Sequence, residues 1–541
     1  MKPFADLLER LLYTQGRNAK IVVLADYFAT RPNPERGFAL AAIAGKLDFP
    51  GAKPAILRAL VATRTDPELF ALSYDYVGDL AEAIALIWPK AATEAPPELP
   101  DVVATLRTTP RDAIPALIAT WLDTSDVSTR IALIKLITGG LRVGASLRLA
   151  KLALAQRFEV DVDHIEEIWY GLEPPYQPLF DWLEGHIARP APGTAPVFRP
   201  PMLAHPIGDS DRAGLDWSNY RAEWKWDGIR VQLVATPSGK RLYSRSADDI
   251  SATFPEIIAA MDFAAVLDGE LLVIRDGIIA PFADLQQRLN RKTVTAKRRA
   301  DYPVGVRLYD MLFDGAEDLR ALPFDTRRAR LDSWFATTQP ARMDLSPQIP
   351  FHTEADLAAL RDAARDEGIE GLMLKSRTSL YLAGRPKGHW WKWKRDPLSL
   401  DCVLMYAQRG HGKRSSFYSD YTFGVWTGEG KLVPIGKAYS GYTDAELLIL
   451  DKWIRTHTVA TYGPVREVEQ GIVLEIGFDA AQRSTRHKSG IALRFPRILR
   501  LRSDKPAAEA DTLATAARLI GAERSSPMDQ MSPTDQMKMS Q

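Results

Sequence analysis

Six prolines fall between Pro190 and Pro206, at positions 190, 192, 196, 200, 201 and 206. Proline fixes φ and has no amide donor, so this stretch is neither helix nor interior strand. It is extended chain, and it separates two parts of different character. Before it, residues 1–190 read as helical: Ile131, Ile134 and Leu141, with Leu133, Leu136 and Ile137, keep near-helical spacing with a broad apolar face. Pro96, Pro97 and Pro100 mark a surface connection between helices. After it, strands and helices mix as far as Lys394-Arg395-Asp396-Pro397, with strand candidates at 220–227, 229–235, 266–274, 304–310 and 370–375.

Short strands follow at 399–406, 421–426, 432–438 and 471–478, with one helix near 443–457 opened by the capping box Thr443-x-x-Glu446. Short strands and a single helix in about 110 residues suggest a small β-barrel of the OB type. The expected organisation is a helical region 1–190, a linker 191–206, an α+β region 207–397, a barrel 398–522 and a disordered polar tail 523–541. No internal repeat is evident.

A chain of 541 residues accommodates about three domains of roughly 150 residues each. Net charge is +1, so affinity for nucleic acid must come from local basic patches. Cys402 is the single cysteine, which excludes an internal disulfide and a Cys-rich zinc site and fits a reducing cytoplasm. The start, Met1-Lys2-Pro3-Phe4-Ala5-Asp6, lacks the apolar core of a signal peptide, and no apolar run approaches the ~20 residues of a membrane span.

The chemistry centres on Arg221-Ala222-Glu223-Trp224-Lys225-Trp226-Asp227-Gly228-Ile229-Arg230. Period-two alternation places Glu223, Lys225 and Asp227 on one strand face and Ala222, Trp224 and Trp226 on the other, and Gly228 permits a tight turn. Alone, a lysine between two acids is a solvated strand edge. Five segments follow in order: Tyr243-Ser244-Arg245-Ser246; Leu267-Asp268-Gly269-Glu270, with Asp268 and Glu270 on one face; Val306-Arg307-Leu308-Tyr309-Asp310; Ile369-Glu370-Gly371-Leu372-Met373-Leu374-Lys375; and Trp390-Trp391-Lys392-Trp393-Lys394, with Lys392 and Lys394 on one face. Each alone has a structural explanation, such as edge-protecting lysines or a core tyrosine.

In this order the segments resemble the nucleotidyltransferase motifs of ATP-dependent DNA ligases. Leu493-Arg494-Phe495-Pro496-Arg497 and Arg502-Ser503-Asp504-Lys505 resemble the family's last motif, and Thr138-Gly139-Gly140-Leu141-Arg142-Val143-Gly144 resembles the DNA-binding helical domain of its larger members. The resemblance implies an all-α DNA-binding domain, an α+β nucleotidyltransferase domain of ATP-grasp-like adenylation type and an OB-fold domain. It implies ATP and Mg²⁺ as cofactors, nicked duplex DNA as partner, no membrane and a monomer.

The chemistry explains the residue types. An amine attacks phosphorus only when neutral, a form that burial and cations such as Arg230, Lys392 and Lys394 favour. Carboxylates at Glu270 and Glu370 suit Mg²⁺, which with cationic side chains offsets charge on the phosphates. By resemblance, Lys225 takes the AMP, Glu223 reads the adenine and Tyr309 stacks on it. Arg230 and Arg245 hold the ribose and the 5′-phosphate, and Glu270 and Glu370 bind metal or ribose. Lys392 and Lys394 meet the α-phosphate, and Arg502, Asp504 and Lys505 orient pyrophosphate when the barrel closes. One departure is the arginine that many ligases carry a fixed short distance before the Trp-x-Lys-x-Lys strand. Here the candidate is Arg385, offset by a residue.

Eight basic residues and one acid lie between Arg483 and Lys505, an imbalance that favours phosphate contact. Arg494 and Arg497 within it are candidate DNA contacts. The loop Arg409-Gly410-His411-Gly412-Lys413-Arg414 suits backbone tracking. Gly139, Gly140 and Gly144 around Arg142 either bring amides to phosphate or form a helix C-cap and turn. An RNA-joining or RNA-capping enzyme shares the lysine chemistry but not the helical region. An NAD-dependent ligase should carry a four-cysteine zinc module, a P-loop ATPase needs a Gly-Lys-Ser/Thr, and a clamp with a degenerate pocket should not retain Lys225, Glu270, Glu370, Lys392 and Lys394 together.

Overall fold

A computed structural model describes residues 1–89, 97–139, 141–190, 195–289, 291, 294–363, 369–410, 417–485 and 487–521. Among these, twelve helices run from Lys2–Tyr13 to Gln177–Leu183. Side-chain caps fix several starts. Asp79 accepts from the amides of Ala81 and Glu82 at 2.9 and 3.0 Å, and Asp126 accepts from Thr129 at 2.8 Å. Each satisfies amide donors that a helix leaves open. The helices share one core that includes Phe4, Leu24, Phe28, Leu133, Leu154 and Phe180, where burying each large side chain stabilises by roughly 1.5–3 kcal/mol. No described helix is long and apolar enough to cross a membrane.

Of the proline stretch, residues 195–206 are extended but held along their length. Phe198 is buried edge-on against Tyr170 and Tyr243, with ring centroids 4.9 and 5.6 Å away. Met202 is buried, and His205–Pro206 pairs in parallel with Trp391 and Lys392. Beside this strap, Arg320 donates two bonds, of 2.7 and 3.0 Å, to Glu167 on the helix Val162–Trp169. The helical region is thereby fastened to the α+β region after it.

The region that follows the strap holds two sheets. One orders His205–Pro206, Trp390–Lys394, Ile369–Ser376, Tyr220–Trp226 and Gln348–Ile349. The other orders Gly239–Ser244, Ile229–Thr236, Ala265–Arg275, Val304–Asp314 and Glu317–Asp318. Met202, Val234, Val266, Leu312, Tyr381 and Trp390 pack between them. The chain passes from the first sheet to the second through the two residues Asp227-Gly228, because Tyr220–Trp226 lies in the first and Ile229–Thr236 in the second, and it returns between Met343–Leu345 and Gln348–Ile349. Gly228 is required there by space. A Cβ would lie 2.5 Å from the Leu271 carbonyl oxygen and 2.8 Å from Glu270 Cγ.

Beyond Lys394, the strand Leu398–Arg409 pairs with Tyr418–Trp426 on one side and with Val465–Val468 and Val473–Phe478 on the other. Leu432–Ala438, Thr458–Tyr462 and Arg497–Leu501 complete the sheet. Leu400, Phe423, Ile435, Leu474 and Ile476 form its core with Leu450 and Ile454 of the helix Asp444–Thr456. The capping box at Thr443 and Glu446 is present in both directions. The hairpin Ala480–Arg483 with Ile491–Arg494 forms a separate two-stranded sheet, packed through Ala481 and Ile491 on the same core.

Candidate functional site

Lys225 lies one residue from the end of its strand, where the chain leaves the first sheet. Its ammonium is ion-paired with Glu370. Glu370 sits in a bulge, since pairing between Ile369–Ser376 and the lysine strand shifts between Ile369 and Leu372. Gly371, at φ +136°, makes that bulge possible, and a Cβ there would lie 2.3 Å from the Trp393 carbonyl oxygen. Lys394 Nζ reaches the same Glu370 oxygen at 3.3 Å. Burial pushes the Glu370 carboxyl up, but Lys225 and Lys394 outweigh it and hold it at about 2.

Glu270 faces this cluster with no ion pair of its own among the described residues. Burial raises it to about 8, against the pull of Lys225 and Arg230 and with help from Glu370 and Asp227. Lys392 is lowered by burial and then by Arg385, Lys225, Lys394 and Arg245. Cations therefore converge here across strands distant in sequence. Arg245 and Arg385 are exposed, and the Arg385 carbonyl accepts from His205 Nε2 at 2.9 Å.

Of the base-recognition candidates, Glu223 is buried and Tyr309 is half-buried. Glu223 is 2% exposed and accepts from Lys375 Nζ at 3.0 Å and Arg328 Nη1 at 3.3 Å. Tyr309 lies with the Lys375 ammonium 4.4 Å from its ring centre, and burial raises its phenol well above the ordinary range. Arg230 donates to Asp268 Oδ2 at 2.6 Å, to Tyr381 at 3.0 Å and to the Met202 carbonyl at 2.6 Å, so both of its terminal nitrogens are engaged within the protein.

The C-terminal hairpin closes the site. Arg494 forms a two-armed pair with Asp227, one arm 2.8 Å long, and stands 3.9 Å from Glu370 and 4.5 Å over the Phe282 ring. Burial raises the Asp227 carboxyl even against this arginine. Asp479 accepts from Arg497 at 3.0 Å and lies 3.5 Å from Lys394. Arg502, Asp504 and Lys505 are elsewhere: Arg502 binds Asp504 and Asp401, and Lys505 binds Asp401 at 2.8 Å. Gly139 caps the helix Val127–Thr138 in the left-handed region, Arg142 is exposed, and Gly144 lies against Lys20. Gly140 and His411–Arg414 fall outside the described residues.

The lysine strand, Glu270, Glu370, Lys392 and Lys394 thus come together with Arg494, whereas the Arg502–Lys505 group does not join them. Sequence reasoning quoted Asp268 and Lys375 within motifs without giving them a role, and it passed over Arg328, Tyr381 and Asp479. Lys375 stands two residues from Met373, the cross-strand partner of Glu223, so period two offered a signal. Nothing in the spacing pointed to Arg328 or Asp479.

A strand lysine amid carboxylates and further lysines, between two sheets and beneath a separate β domain, defines a covalent nucleotidyltransferase. Residues 201–394 match the ATP dependent DNA ligase domain, and residues 414–505 match the ATP dependent DNA ligase C terminal region. A probable DNA ligase of Koribacter versatilis is 33% identical, over 96% of this chain and 96% of its own. DNA ligase 1 of Korarchaeum cryptofilum is 29% identical, over 95% of this chain and 97% of its own. The solved structure Pmar-Lig_PreS3 shares the fold at a TM-score of 0.60 and 16% identity, covering 92% of this chain and 99% of that one. The chain belongs to the ATP-dependent DNA ligases. Its activity is that of the family, sealing nicks in duplex DNA with ATP through a lysine–AMP intermediate.

Proposed function

We propose that Lys225 is the lysine that carries the AMP. The observation that supports this most is its position at the sheet crossing, paired with Glu370 beside Lys394 and facing Glu270. Lys225 Nζ attacks the α-phosphorus of ATP, the bond to pyrophosphate breaks and the amine proton leaves. The AMP then passes to the DNA 5′-phosphate as the P–N bond breaks. The 3′-hydroxyl finally attacks that phosphorus, and AMP departs.

Glu223 reads the base and Tyr309 stacks on it. Lys392 and Lys394 neutralise the α-phosphate. Glu270 and Glu370 form the donor set for Mg²⁺: two carboxyl groups offering hard oxygen donors, with Glu370 beside Lys225 and Lys394. Bound there, Mg²⁺ supplies charge neutralisation for the phosphates. Arg230 orients rather than contacts, because its two terminal nitrogens are committed to Asp268, Tyr381 and Met202. Arg245 and Arg385, both exposed, are the arginines available to the 5′-phosphate. Once the barrel turns and releases them from Asp227 and Asp479, Arg494 and Arg497 meet the DNA backbone, as do Gly139, Gly140, Arg142 and Gly144.

Arg502, Asp504 and Lys505 act on pyrophosphate after the barrel turns, since in the present arrangement the Arg494 hairpin stands over the lysine instead. The boundaries at 190, 206, 397 and 522 describe the units that move. Incubation with α-labelled ATP, Mg²⁺ and no DNA should label the wild type but not Lys225→Ala. Label on that variant would sink the assignment. Sealing of nicked DNA but not nicked RNA by the wild type checks the substrate.

A further inference from the structure

Lys375 is 1% exposed, and its ammonium stands in a box of three rings, 4.4 Å from the centre of Tyr309, 4.8 Å from Trp390 and 4.9 Å from Phe324. It donates to Glu223 Oε2 at 3.0 Å and to the Tyr309 carbonyl at 3.4 Å. The other Glu223 oxygen takes a 3.3 Å bond from Arg328. Arg328 is itself fixed, by the Ser346 carbonyl at 2.9 Å and Asp332 at 2.8 Å. Each oxygen of one buried carboxylate is therefore held by a different immobile cation.

Such a group is costly to bury, and an apolar cluster of the same volume would often be at least as stable. What the ion pairs supply is orientation. A carboxylate only accepts hydrogen bonds, and each of its oxygens keeps acceptor capacity after one donor has bound. The 6-amino group of adenine donates. A 6-oxo purine presents an acceptor at that position, which an oriented carboxylate repels. Lys375 also touches Tyr309, so a single cation braces both the group proposed to read the base and the ring proposed to stack on it.

We infer that Lys375, together with Arg328, is a positioning residue for nucleobase choice: it fixes Glu223 as an acceptor that admits a 6-amino purine nucleotide and refuses a 6-oxo one. The inference rests on the proposal that Glu223 meets the base. It concerns residues that touch neither substrate nor the reacting atoms.

The test is self-nucleotidylation of the full chain with ATP and with ITP, measured as kcat/KM for each. Lys375→Met should lower the ATP-to-ITP ratio at least about tenfold, chiefly by raising KM for ATP. Arg328→Met should move the ratio in the same direction by less, its bond to Glu223 being the longer. If both variants lose activity toward ATP and ITP in equal proportion, the residues are merely structural and the inference is overturned. Where Lys375→Met melts before assay, Arg328→Met decides by the same ratio. Glu223→Gln separates the two levels. If it leaves the ratio unchanged, the reading of Glu223 itself fails. If it moves the ratio while Lys375→Met and Arg328→Met do not, the role of these two residues alone fails.

Discussion

Replacing Arg494 with alanine should release the barrel from the catalytic region. Arg494 and Asp227 are 22% and 21% exposed, and they meet through two parallel bonds. A hydrogen bond to a charged group is worth about 1.5–3 kcal/mol, and the guanidinium over Phe282 adds roughly 0.5–1 kcal/mol. Set against this, Asp227 is already pushed up by burial, so on losing the arginine it can take a proton instead of standing as an orphaned charge. A net loss of about 2 kcal/mol is reasonable, and at 1.36 kcal/mol per decade it shifts the closed-to-open ratio by about 30-fold. The second link is weaker: Lys394 is 44% exposed and 3.5 Å from Asp479, a pair worth at most about 0.5 kcal/mol. Asp479→Ala should therefore shift the ratio by less than about threefold. The sole cysteine is buried, so dyes on Asp262→Cys in the catalytic region and Lys431→Cys in the barrel can report separation by energy transfer; both positions are exposed. If Arg494→Ala gives the wild-type distance distribution, or if Asp479→Ala opens the protein as much as Arg494→Ala, the energetic ranking is wrong.

Three further outcomes are expected. Gly228→Ala should destabilise by about 1–3 kcal/mol through overpacking, because the added carbon meets the Leu271 carbonyl at 2.5 Å; an unchanged melting temperature would contradict the close approach. Asp79 lies below the ordinary aspartate value of 3.8: burial raises it, but Lys135 and the amides of Glu82 and Ala81 lower it by more. Its contribution is thus present above pH 3.8 and lost as pH falls through the folded value. Asp79→Asn keeps the helix cap and should cost about 1 kcal/mol at neutral pH, discounted for the exposed carboxylate, with the difference from wild type vanishing in acid denaturant melts. Deleting residues 1–190 should weaken nick binding far more than self-adenylylation, and equal losses in both would count against a DNA-gripping role for the helices.

Local patterns were legible wherever local forces decide. The strands at 220–227, 229–235, 266–274 and 370–375 and the capped helix at 443 were readable from alternation and caps, and the structure places them within two residues. The short strands Ala480–Arg483 and Ile491–Arg494 were not, because their charges and small residues mask alternation and their pairing is set by the partner strand. In the site, Lys225 and Glu370 could be named but not their contact, which depends on a bulge that Gly371 creates across 145 residues of sequence. The engagement of Arg230 was hidden likewise. One strand face predicts that a side chain points inward, not that Asp268, Tyr381 and a backbone carbonyl already occupy it.

The two-residue passage at Asp227-Gly228 has a mechanical consequence. With no slack in that link and no room for a side chain at its glycine, neither catalytic sheet can slide past the other without dragging the nucleophile along. Whatever rearrangement accompanies each successive step, the strand that carries Lys225 stays tethered by two residues to Ile229–Thr236, whose Arg230 is the cross-strand partner of Glu270.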